Sequence, residues 1–107
     1  MVKFPFIDNI NKFKERPAFC LTKPVGQYKN LVVSYITTNI YKIDETDILI
    51  DSKNKNFKLT NLEKTSVIKL HKLTTIGLEI VIGEIGKLPD DLHKKLKKNL
   101  KTLFNIK

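Results

Sequence analysis

Cysteine, arginine and glycine are all scarce in this chain of 107 residues, and each scarcity excludes something. The one cysteine, Cys20, cannot form an internal disulfide, and no Cys/His cluster has zinc-ligand spacing, so no metal is expected. An unpaired thiol within an apolar run suits a reducing compartment. Four glycines and four prolines form no phosphate-cradling loop and no low-complexity linker. No nucleophile elbow or paired-carboxylate site appears, and no cofactor is implied. Apolar runs are short as well: none approaches the ~18 residues of a membrane span, and the start lacks the basic-then-apolar pattern of a secretion signal. The expectation is one cytoplasmic domain over residues 1–107 with no membrane partner. At this length roughly two-thirds of the unfolded surface is buried, enough for a core without staples.

Acids are outnumbered, with 11 Asp and Glu against 20 Lys and Arg, for a net charge of +9 and a pI near 9.7. That balance favours a polyanionic partner, because lysines that neutralise phosphates release counterions. Arg16 is the only arginine beside 19 lysines. A chain that meets nearly every demand for positive charge with lysine has at this point a planar, permanently charged, forked donor, suited to phosphate.

Around Arg16 the sequence reads as two strands joined by a polar turn. Residues 17–21 form one and residues 31–37, rich in β-branched and aromatic side chains, the other. Antiparallel pairing brings Arg16, at the entry of the first, to the same edge as Thr37 and Thr38, at the exit of the second. A short strand at 1–6 and a polar, turn-rich stretch at 7–15 precede them. An apolar run bounded by Asp47 and Asp51 makes a fourth strand, and 52–64 a loop. Residues 66–72 make a fifth strand with Ser66, Ile68, Leu70 and Lys72 on one face and Val67, Lys69 and His71 on the other. Residues 78–85 make a sixth. Pro89 opens a helix whose Leu92, Leu96, Leu100, Leu103 and Phe104 share one face, the lysines facing water. Short strands followed by one helix predict a mainly β fold: a small, strongly bent sheet or partly open barrel with the helix docked on it.

Several segments, in this order, resemble the PemK/MazF family of toxin ribonucleases from bacterial toxin–antitoxin pairs. They are Lys3-Phe4-Pro5-Phe6, Arg16-Pro17-Ala18, Val33 through Ile36-Thr37-Thr38, Ser66-Val67-Ile68-Lys69-Leu70, and Gly86-Lys87-Leu88-Pro89 with the helix that follows. The resemblance implies an SH3-like barrel, a homodimer, metal-independent cleavage of single-stranded RNA by attack of the 2′-OH, and an antitoxin partner with an acidic tail. It also implies catalytic roles for Arg16 and Thr37. Two departures stand out: the Gly-Asp pair common ahead of the family's first strand has no counterpart here, and His71 stands where many members have an aspartate.

Because RNA supplies its own nucleophile, its cleavage needs a base for the 2′-OH, positive charge on the crowded phosphate and a donor for the leaving oxygen. Arg16 suits electrostatic stabilisation, and its high pKa makes it a poor proton donor. Thr37 suits phosphate positioning; a strand-capping role is the alternative for that residue type. Thr38, Lys69 and His71 are candidate RNA contacts. His71, an imidazole on the same strand face as Lys69, is a candidate base. A non-catalytic nucleic-acid-binding barrel and a protein-interaction module are the competing readings of the chain.

Overall fold

The computed structural model describes residues 1–9 and 12–106, with side chains described for 1–3 and 15–106. Six strands form one antiparallel sheet: β1 (Val2–Asn9), β2 (Lys12–Cys20), β3 (Asn30–Thr37), β4 (Ile48–Ile50), β5 (Ser66–Gly77) and β6 (Gly83–Glu84). Their spatial order is β4-β5-β3-β2-β1-β6, so among the described residues the sheet is open, with β4 and β6 at its edges. A helix, α1 (His93–Leu103), follows the last strand.

The largest apolar cluster gathers Ile36 of β3, Ile48 and Ile50 of β4, Ile68 and Leu70 of β5, with Met1 and Leu88, and α1 lays Leu92, Leu96, Leu100 and Leu103 against it. Fully burying an Ile or Leu stabilises by roughly 1.5–3 kcal/mol, so this seam is what fixes the helix to the sheet. A smaller cluster of Ala18, Leu31, Val33 and Ile76 lies elsewhere in the sheet. Phe104 departs from the expected stripe and is 52% exposed. The helix stops at Leu103, which leaves Phe104 as its C-cap, and Asn105 follows in the left-handed region at φ 55°. The expected start at Pro89 also splits, into a 3₁₀ turn over Asp90–Leu92 and the helix proper.

Three strand boundaries differ from the sequence reading. The polar stretch at 7–15 is mostly paired, with Phe6 opposite Lys14 and Ile7 opposite Phe13; residues 10 and 11 lie outside the described residues. Backbone pairing, not side-chain pattern, carries these strands. The fifth strand continues past Lys72 to Gly77 and pairs along the whole of β3. The expected sixth strand is a 3₁₀ turn at Leu78–Ile80 followed by the two-residue β6. Gly86 then passes so close to the backbone of Leu59 and Thr60 that a β-carbon would collide with it, which is why a glycine precedes Lys87-Leu88-Pro89.

Candidate active site

The register of β2 on β3 pairs Ala18 with Tyr35, Phe19 with Ser34 and Cys20 with Val33. The ladder ends at Ala18 and Tyr35, and Arg16 and Thr37 each lie two residues beyond it. Both side chains line a cavity of about 410 Å³, together with Tyr35, Asn39, Lys42, Asp44, Lys69 and Lys72. A second cavity of about 350 Å³ shares the Arg16/Thr37 wall and adds Thr38, Lys3, Asn61 and Lys64. The guanidinium and the two hydroxyls therefore stand where two recesses meet.

Thr37 Oγ1 accepts a hydrogen bond from Asn39 N–H at 3.1 Å, and Asn39 Oδ1 accepts one from Tyr41 N–H at 3.2 Å. These two side-chain turns start the loop 39–47, which forms one wall of the larger cavity. A hydroxyl that accepts from the backbone keeps its own O–H to donate, so the capping role and the phosphate role of Thr37 are compatible.

The far end of that loop is held by Lys69. Its ammonium donates to Lys42 O at 2.9 Å, Asp44 Oδ2 at 3.1 Å and Asp47 Oδ2 at 2.6 Å. The loop closes on itself as Asp44 N–H donates to Asp47 Oδ2 at 2.7 Å. From the other side, buried Asn99 of α1 donates to Thr46 O and Asp47 O. The hydrogen bond to Asp47 raises the Lys69 pKa despite the opposing cost of desolvation, and the hydrogen bond from Lys69 lowers that of Asp44. Lys69 thus lines the cavity, but all three of its donors are engaged. What it gives the site is a fixed wall and a charge already matched by carboxylates.

His71 sits in a local break of β5. Ser34 pairs with Leu73 and Tyr35 with Lys69, so three residues of β5 bulge opposite one step of β3, with His71 in the middle. Ser34 Oγ fills the gap by donating to Leu70 O at 3.2 Å. Such bulges re-aim side chains. The sequence made Lys69 the charged neighbour of His71; in the fold the ring also faces acids, with Nδ1 3.8 Å from Asp47 Oδ1 and Nε2 3.8 Å from Asp44 Oδ2. Residues 66–70 are all buried, so both faces of this part of the strand are covered, and Lys69 is buried among its hydrogen-bond partners.

Among the described residues, Asp44, Asp47 and His71 bring ligand atoms within 4.8 Å of one another, a grouping that could hold a metal ion. The Lys69 ammonium already sits on both carboxylates, so a cation position here is filled by the chain itself. Asn39, Lys42, Asp44, Asp47 and Lys72 escaped the sequence reading. The signal that pointed to the turn was Asp44 three residues before Asp47, a spacing at which one carboxylate reaches back to the other's N–H.

An open antiparallel sheet with one docked helix, and with Arg16, Thr37 and several lysines lining one recess, defines a small, mainly β protein with a cation-rich cavity. The profile of PemK-like, MazF-like toxins of type II toxin–antitoxin systems matches residues 2–104, and the chain belongs to that family, whose members are endoribonucleases acting on RNA and paired with an antitoxin. Among solved structures it is similar to the Mycobacterium tuberculosis toxin MazF-mt6, at 22% identity over 99% of this chain and 97% of that one, with a TM-score of 0.74. It is also similar to a structure described as an Mtb toxin, at 24% identity over 83% of this chain and 92% of that one, with a TM-score of 0.66. A search of curated proteins gave no match. Among the described residues no helix is long and apolar enough to cross a membrane.

Proposed function

We propose that the chain is a cytoplasmic, homodimeric toxin that cleaves single-stranded RNA without a metal ion, the 2′-OH of the RNA acting as nucleophile. The 2′ oxygen bonds to phosphorus and the bond to the 5′ oxygen breaks, leaving a 2′,3′-cyclic phosphate and a 5′-hydroxyl. Arg16 stabilises the charge that builds on the phosphate, and Thr37, seconded by Thr38, fixes its position. Lys69 acts by holding the loop 39–47 that walls the site, and His71 lies behind Asp44 at its rim. The antitoxin, by family implication, covers the cavity with an acidic tail, a fit favoured by the basic lining.

The observation that carries this reading is that Arg16 and Thr37, on different strands, line one cavity. Incubation of the purified protein with single-stranded RNA in EDTA tests it. Fragments ending in a cyclic phosphate are expected; RNA that is retarded but intact would instead favour a binding protein without catalysis.

A further inference from the structure

The lining of the two cavities mixes signs. Around Arg16 stand Lys3, Lys42, Lys64 and Lys72, but also Glu15, Asp44 and Glu63, and Lys69 is matched by Asp47. Most of the excess positive charge lies elsewhere: the last sixteen residues contain six lysines and no acid, and so account for six of the nine net charges. On α1, Lys94, Lys97, Lys98 and Lys101 surround one shallow depression with Thr102 and Asn105. Their spacing of i, i+3, i+4, i+7 puts them on one face over about 10 Å of helix axis. All four are exposed, and among the described residues no carboxylate pairs with them.

This arrangement works against the helix. Like charges at i, i+4 repel, and this holds for Lys94 with Lys98 and for Lys97 with Lys101. Solubility alone is served as well by mixed signs, which would relieve that cost. A row of unmatched cations is what a flexible polyanion neutralises, and counterion release then makes the contact strongly favourable at low salt.

The helix is also tied to the active site. Asn99, on its buried side, holds the backbone of Thr46 and Asp47, the end of the loop whose start lines the cavity. We infer that the lysine face of α1 is a second RNA-binding surface, which grips the phosphate backbone of a strand outside the cleavage cavity and supplies most of the affinity for long RNA without reading its bases. The inference rests on the ribonuclease reading for its choice of polyanion.

The test measures binding to an uncleavable, fully 2′-O-methylated 30-nucleotide RNA across 50–200 mM KCl, alongside cleavage of an unmodified RNA just long enough for the cavity. Replacing the four lysines with glutamine lowers the slope of log affinity against log salt by about 3, at about 0.7 per phosphate contact on a single strand. That amounts to about a fifty-fold smaller change in affinity over this salt range. Arginine at the same four positions keeps the slope, and cleavage of the short RNA is unchanged in every form. If the quadruple variant fails to fold, as circular dichroism would reveal, single Lys98→Gln and Lys101→Gln forms each lower the slope by about 0.7. An unchanged slope overturns the inference. So does a loss confined to binding of poly-glutamate, which would make the face a site for acidic protein. Slope loss with no cleavage by any form would retire the ribonuclease reading and leave this one standing; cleavage with an unchanged slope would do the reverse.

Discussion

Lys69 Nζ lies 2.6 Å from Asp47 Oδ2, and neither side chain is more than a tenth exposed. The other oxygen, Asp47 Oδ1, is buried with no hydrogen-bond partner among the described residues and meets only the His71 ring edge at 3.8 Å. A buried pair of this kind costs little while both partners remain, and much when one is removed.

Lys69→Met therefore destabilises the protein by about 3–5 kcal/mol, because Asp47 is left as an uncompensated buried charge. The double change Lys69→Met with Asp47→Leu recovers most of that loss. Urea unfolding of the three forms checks both statements; equal stability of single and double variants would contradict them.

Lys69 and its second carboxylate partner, Asp44, set a pH window. Asp44, facing Lys69, Lys42 and His71, has its carboxyl held low, mainly by the hydrogen bond from Lys69. Its share of stability is present above the usual carboxylate value of about 3.9 and is lost as pH falls through the lowered folded value. Lys69, held high, contributes below about 10.4 and loses its share as pH rises through its raised value. Urea midpoints are expected to be level between these limits and to fall on either side, with a shallower acid limb in Asp44→Asn.

Arg16→Ala lowers the rate of RNA cleavage by about 10²–10³-fold, the scale for losing a charge-stabilising donor. Arg16 is an exposed residue in the middle of β2, so stability changes by only about 1 kcal/mol or less. Single-turnover cleavage and a urea melt of one preparation separate the two effects.

Thr37→Val removes both the acceptor used by Asn39 N–H and the O–H available to a phosphate. Cleavage is expected to fall by about tenfold or more, with about 1 kcal/mol lost from stability. Thr37→Ser, which keeps the hydroxyl, stays within about threefold of the parent rate, below the scale of losing a positioned group.

His71→Asn changes the cleavage rate by less than about threefold, well short of the 10² or more that loss of a general base produces. Its ring nitrogens face Asp44 and Asp47, and it is absent from the lining of the cavity. A rate profile that loses an inflection near neutral pH in this variant would return the base role to His71.

Local chemistry determined much of this molecule before any folding was considered. The lone arginine and the threonine pair at the end of a β-branched run marked one candidate edge, and the strand pattern with the leucines at helical spacing fixed a strand-rich body and a docked helix. These are readable because strand and helix periodicity depend on neighbours a few residues away. Tertiary structure decided what Lys69 does. Nothing in Ser66-Val67-Ile68-Lys69-Leu70 says that its ammonium meets a carboxylate twenty-two residues earlier, and one lysine among nineteen gives no hint of burial. The three-residue bulge that turns His71 toward Asp47 likewise depends on the register between distant strands. Side-chain pattern along one strand encodes which face is apolar; which partner waits across the sheet is set only when the sheet assembles.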